Sequence, residues 1–365
     1  MLKSAASQNN FVRLICFFAL VTLLIFSFSC NNSTKNSPHT SISWNKHIID
    51  ENLVGASNVF IADLDGDSDL DIIASGHFAD DVVWYEAPSW TKHIIDQNLG
   101  RAEGLFVIDL DGDNDLDVVA DGSGADDVVW YEAPSWTKHF VDDNFDGIYH
   151  LFVADMNKDA KLDIVAAGCH AGQIVWYEAP SWTKHYIEQN LKSVEDVIAA
   201  DLNGDNDLDV VASAWEADAV FWYEAPSWIK HAIDQTLNGA YRIYVADLDK
   251  DNDLDVIASG WEVDAVVWYE APSWTKHFID QNMDGAKGVF ACDINDDNHL
   301  DVVAVGSESG IVAWYEAPSW NKNIIDEELK GAHSVFVSDL NNDGVPDVVA
   351  ASVEANTVVW YKQNR

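Results

Sequence analysis

Apolar and polar positions along the chain form a pattern that comes back again and again. In its first copy Asn58-Val59-Phe60-Ile61-Ala62 is apolar and β-prone and runs into an aspartate-rich stretch. Residues 70–75, 81–86 and 90–95 follow, each rich in Val, Ile, Trp or Tyr, with Gly, Asp, Asn and Pro between them. Such residues suit a pleated, half-buried surface, and the punctuating ones suit turns. Four short strands per copy, A to D, are expected. No segment keeps a helical period, so the class is all-β.

The copies are strictly spaced. The aspartate stretch reads DLDGDSDLD from Asp63, DLDGDNDLD from Asp109, DMNKDAKLD from Asp155 and DLNGDNDLD from Asp201. It continues as DLDKDNDLD from Asp247, DINDDNHLD from Asp293 and DLNNDGVPD from Asp339, each start 46 residues after the last. A second phrase, WYEAPSW, keeps the same period. Four strands in a unit of this length predict a propeller blade rather than a helical solenoid. The seventh copy stops after strand C at Val358-Val359-Trp360-Tyr361, and its missing strand stands at the other end as Ser43-Trp44-Asn45-Lys46-His47-Ile48-Ile49. The expectation is a seven-bladed β-propeller of four-stranded blades over residues 43–365, closed by the N-terminal strand completing the last blade. Closure leaves no blade without an edge partner.

Positions 1, 3, 5 and 9 of every aspartate phrase are Asp or Asn. They are Asp63, Asp65, Asp67 and Asp71; Asp109, Asp111, Asp113 and Asp117; Asp155, Asn157, Asp159 and Asp163; and Asp201, Asn203, Asp205 and Asp209. The remaining three sets are Asp247, Asp249, Asp251 and Asp255; Asp293, Asn295, Asp297 and Asp301; and Asp339, Asn341, Asp343 and Asp347. Alternate oxygens on a tight loop suit a hard cation taking six or more oxygen ligands, so up to seven structural calcium ions are expected. The phrase resembles the loop of the FG-GAP or VCBS repeat, roughly D-x-D/N-G-D-G-x-x-D, as in the calcium-binding propeller of integrin α-subunits. Six copies lack the Gly of that pattern at position 6, where Ser68, Asn114, Ala160, Asn206, Asn252 and Asn298 stand. Ala160 suits a left-handed turn poorly. With Lys158 and Lys161 beside it, the third loop is the weakest expected site.

The remaining composition is consistent with export. Lys3 and Arg13 precede an apolar run over residues 14–28 that ends at Ser29-Cys30. That segment, residues 1–30, resembles a bacterial lipoprotein signal peptide with Cys30 as the lipidated residue, and residues 31–42 read as a polar tether. An ordinary secretory signal or an uncleaved anchor are the alternatives. Cys169 and Cys292 fall in the third and sixth blades, so a bridge between them is not expected, and Cys292 reads as a small core residue. The formal charge of −42 excludes nucleic acid as a partner and confines contact with a membrane to a lipid anchor. Nearly half of the acidic residues lie in the seven loops, and seven divalent ions would cancel about a third of that charge.

One face of such a ring, carrying the aspartate loops and the EAPSW turns, is almost the same in every blade. The other is not. Where strand A begins, the blades carry Ser57-Asn58, Glu103-Gly104, Tyr149-His150, Glu195-Asp196, Tyr241-Arg242, Lys287-Gly288 and His333-Ser334. At the B–C tip stand His77-Phe78, Ser123-Gly124, Cys169-His170, Trp215-Glu216, Trp261-Glu262, Ser307-Glu308 and Val353-Glu354. Aromatic, acidic and basic groups converging on one rim suit a polar small ligand or a glycan on a cell surface. The candidate ligand residues are Glu103, Tyr149, His150, His170, Glu195, Trp215, Glu216, Tyr241, Arg242, Trp261, Glu262, Lys287 and His333. The histidines His47, His93, His139, His185, His231 and His277 recur once per blade on the outermost strand, so they read as packing rather than as a metal centre. Three functions compete: a surface-tethered carbohydrate-binding protein, a carbohydrate lyase or dehydratase, and a protein-binding scaffold. Among candidate bases the rim offers His77, His150, His170 and His333.

Overall fold

The computed structural model describes residues 42–365, and every regular element among them is a β-strand. The strands form seven antiparallel sheets of four, each in the order A–B–C–D except where the chain ends meet. In the first blade these are Ala56–Ala62, Asp71–Gly76, Asp81–Glu86 and Thr91–Asp96. The boundaries differ by a residue or two from those the apolar runs suggest, because the backbone ladder and not hydrophobicity ends a strand. In the seventh sheet Ala332–Ser338, Asp347–Ser352 and Thr357–Asn364 are completed by Ser43–Asp50, which lies antiparallel to the last strand with His47 opposite Trp360. The ring closes as the repeat predicts. The signal segment, Cys30 and the tether up to residue 41 lie outside the described residues, and Ile42 packs against the core of the sixth and seventh blades.

The core lies between blades rather than within them. Ile73, Val82 and Trp84 of the first blade form one buried cluster with Leu105, Val107, Val118, Val129 and Tyr131 of the second. Strand B is buried along its whole length in every blade, while strand D keeps one face in water. Burying an Ile, Val or Leu side chain stabilises by roughly 1.5–3 kcal/mol, so each wedge depends on its neighbour and the closing strand on all of them.

A polar staple repeats beside each wedge. Tyr85 donates its hydroxyl hydrogen bond to Asp50 at 2.8 Å, and Lys92 reaches the same carboxylate at 2.9 Å. Tyr361, Asp326 and Lys46 repeat this at the seam, with Lys46 Nζ 2.6 Å from the carboxylate, so the closing strand is tied by charge as well as by its ladder. The repeated histidines are packing groups, as expected. His93 stacks on Trp84 with ring centroids 4.5 Å apart and contacts Glu86 at 2.7 Å.

Candidate functional site

The two faces are sorted as the repeat predicts. The B–C tip bonds to the D–A connection of its own blade, as His77 N does to Gly55 O, while the A–B loop bonds to the C–D turn.

On the constant face each aspartate loop folds around its own carboxylates. Asp63 accepts from the amide of Ser68, Asp65 from Asp67 and Asp67 from Asp69. The residue at position 6 is left-handed in all seven loops, with φ from +67° at Ala160 to +85° at Gly344. That conformation favours Gly and Asn and strains Ala, which sets the third loop apart. Lys161 there also contacts Asp159 Oδ2 at 3.1 Å, and Lys158 reaches across to Asp207 of the fourth loop at 2.5 Å. Position 9 does something the motif alone does not reveal. Asp71 is buried and accepts from the amides of Leu64 at 3.0 Å and Ala87 at 2.8 Å, bolting the loop to the C–D turn. Asp117, Asp163, Asp209, Asp255 and Asp301 repeat both bonds; Asp347 bonds Gln363 N and Asn341 instead.

Three of the seven loops gather carboxylates as a hard cation requires. Carboxylate oxygens of Asp63, Asp65 and Asp71 lie within 4.8 Å of one another, as do those of Asp109, Asp111 and Asp117, and of Asp247, Asp249 and Asp251. Asp63 Oδ1 is buried with no hydrogen-bond partner, which a cation would supply.

On the opposite face a bulge at the start of strand A interrupts pairing with strand B in every blade, as between Ala56 and Asn58. Bulges re-aim side chains, and here they turn the variable residues onto the channel axis. Tyr241 of the fifth blade donates to His333 Nε2 of the seventh at 3.0 Å, and His333 Nδ1 donates to the Ser57 carbonyl of the first at 3.0 Å. Glu103 of the second blade lies 3.6 Å from His333 and is bonded to His77 at 2.6 Å. His150, Asp196 and Arg242, from three successive blades, form a second string, with His150 Nδ1 2.5 Å and Arg242 Nη1 3.9 Å from Asp196 Oδ1. Lys287 sits over the Tyr241 ring, 4.6 Å from its centroid.

Burial sets the ionisation of this cluster. It raises the Glu195 carboxyl to about 7, with the Cys169 thiol at 3.4 Å and the charge of Arg242 pulling the other way. It lowers the Lys287 ammonium to about 8 against the pull of Glu103 and Glu195. Burial also opposes ionisation of Glu103, but the His77 hydrogen bond and nearby positive charge hold that carboxyl at about 2. Burial, then the charge of Lys287, keeps His333 neutral. Asp121 is wholly buried; burial, then the charge of Glu103, pushes its carboxyl well above the usual range. It accepts from Gly104 N at 3.0 Å, and a Cβ on Gly104 would collide with that carboxyl.

The remaining candidates stand around this cluster. Tyr149 is half-buried and its hydroxyl is pushed above the usual range by burial, then by Glu103 and Glu195. Trp215 and Trp261 meet edge to face at 5.7 Å, their indole N–H groups donating to Glu262 at 3.0 Å and Ser307 at 3.1 Å. Glu216 is exposed beside them. His170 stands apart on the rim, exposed, 3.6 Å from Asp146. Asp121 was missing from the sequence reading, although an acid at a position otherwise Ser, Ala or Val in an apolar strand was a legible signal.

The profile of the FG-GAP-like repeat matches residues 155–212, 201–258 and 293–350, aspartate loops included. These stretches of the chain are FG-GAP-like repeats. No curated protein matches it in sequence. Among solved structures, this propeller is similar to streptogramin B lyase, with 10% identity, a TM-score of 0.66, and coverage of 88% of this chain and 98% of that one. Virginiamycin B lyase from Staphylococcus aureus gives 9%, 0.65, 88% and 99%, and the WD40 repeats of RRP9 give 12%, 0.62, 87% and 97%. At such identities the likeness is one of fold. Among the described residues no helix is long and apolar enough to cross a membrane.

Proposed function

We propose that this protein is an exported, calcium-stabilised propeller that binds a polar ligand, a carbohydrate, at the mouth of its channel on the face opposite the aspartate loops. The observation that carries this reading is the Trp215–Trp261 pair, half-exposed and hydrogen-bonded to Glu262 and Ser307, on the same face as the cluster of charged groups at the mouth. Indole faces stack on sugar rings, while carboxylates and guanidinium groups bind hydroxyls. Calcium would be held by the side chains at positions 1, 3, 5 and 9 and would supply fixed positive charge that rigidifies the loops. Cys30 would carry the lipid that holds the propeller at the cell envelope. A glycan array followed by calorimetry tests the main reading: binding is expected, and Trp215→Ala with Trp261→Ala should abolish it without unfolding the ring. Absence of glycan binding by the calcium-loaded protein would overturn it. Loss of acyl-chain labelling in Cys30→Ser is the separate test of the anchor.

Glu195 favours a second reading, a lyase. A carboxyl held near 7 beside an ammonium held near 8 forms an acid–base pair at neutral pH. In a β-elimination the Glu195 carboxylate would take the proton next to the sugar's carboxyl group, its electron pair would form the C=C bond as the neighbouring C–O bond breaks, and the departing oxygen would take a proton from the Lys287 ammonium. An unsaturated product that disappears in Glu195→Gln would establish it.

A further inference from the structure

Where strand A passes down the axis, six blades place an aromatic side chain at the same position: Phe60, Phe106, Phe152, Tyr244, Phe290 and Phe336. Successive ring centroids around this collar are 4.8–5.5 Å apart. The fourth blade has Ile198 there, so the collar is interrupted between Phe152 and Tyr244. A cavity of about 180 Å³ spans the collar and the layer above it. Most of its wall is apolar, and its polar side consists of Asn58, His150, Asp196, Arg242 and Ser334.

Arg242 is the unusual member of that wall. It is 7% exposed, its Nη1 lies 3.9 Å from Asp196, its guanidinium lies 5.6 Å from the centroid of the Tyr241 ring, and its Nη2 is buried with no hydrogen-bond partner. Asp196 does not complete it, because one of its oxygens accepts from Ile243 N at 3.0 Å and the other faces His150 at 2.5 Å. A guanidinium presents a planar fork of donors that matches a carboxylate, and a buried donor left without an acceptor is rare. Apolar cavities of about 150 Å³ accept a benzene-sized guest, so the collar has room for one ring with a short acidic substituent.

We propose that the channel is a binding site for a small aromatic carboxylate, its ring seated in the collar and its carboxylate on Arg242. The site lies beneath the rim tryptophans and does not depend on them. Titration calorimetry on the calcium-loaded protein with benzoate, toluene and benzamidine tests it. Benzoate should bind one to one, more tightly than toluene, and benzamidine should not bind. Arg242→Met should weaken benzoate about tenfold or more, towards the affinity of toluene. Ile198→Phe, which leaves every charge in place and completes the collar, should abolish binding of both benzoate and toluene, and it decides the matter even if Arg242→Met does not fold. Trp215→Ala should bind benzoate as the unaltered protein does. No benzoate binding, toluene binding as tightly as benzoate, any binding of benzamidine, undiminished binding in a folded Ile198→Phe, or loss in Trp215→Ala would each overturn the proposal.

Discussion

The two faces of the ring are made by the two ends of the same strands, yet their polar groups are satisfied in different ways. On the aspartate face the buried carboxylate at position 9 is answered within its own blade, as Asp71 is by the amides of Leu64 and Ala87, and the solution is copied around the ring. At the mouth the partners come from different blades: Tyr241 needs His333, His333 needs Ser57, and Asp196 stands between His150 and Arg242. Local satisfaction permits repetition. Satisfaction across the axis forbids it, because seven identical groups meeting at one point would be seven like charges or seven unpaired donors. The difference between repeats on that face is therefore a condition for burying polar groups there as well as a mark of function.

The comparison can be broken most forcefully from the constant face. Removing calcium with EGTA should lower the melting temperature by about 10 °C or more, since several sites each linked to folding add up. Unchanged melting by scanning calorimetry would remove the ions from the account. In EGTA, Asp71→Ala should still cost about 2–4 kcal/mol, because it orphans two buried amides, while Asp65→Ala at an exposed position should cost under about 1 kcal/mol. Equal losses would mean that position 9 serves only the cation.

The mouth yields pH-dependent effects. Glu103 has its carboxyl held at about 2 in the fold, so its stabilisation is complete above its ordinary pKa and is lost as pH falls towards 2. Glu103→Gln should cost on the order of 3 kcal/mol at neutral pH and flatten that acid limb of the stability profile. Glu195 has the opposite sign. Its carboxyl is raised to about 7, so its contribution is fully present at low pH and is lost as pH rises through that value. Glu195→Gln should therefore be close to neutral at pH about 4 and stabilising by about 1–2 kcal/mol at pH about 8, read from urea melts. Trp215→Ala should change stability least, by about 0.5 kcal/mol, while weakening glycan binding.

Much of this molecule is already written in the order of its residues. A period of 46 residues, four β-prone runs per period and a strand displaced to the N-terminus determine a closed ring of seven blades, because each unit can bury its apolar side only against a copy of itself. The loops were legible for the same reason: the turn, its left-handed sixth residue and the strained Ala160 beside Lys161 all depend on neighbours in sequence. The mouth was legible only as a set of names. The sequence placed Glu103, Glu195, Tyr241, Arg242 and His333 on one rim, but which of them pair, which stay ionised and which sink to 7% exposure or less came from the geometry of the ring. Asp121 joined them unannounced, His170 stayed outside in water, and Asp71 turned out to hold the loop to the next turn. Contacts at the mouth join residues from 26 to 276 positions apart. They are decided by distance and desolvation in three dimensions, and a one-dimensional pattern holds neither.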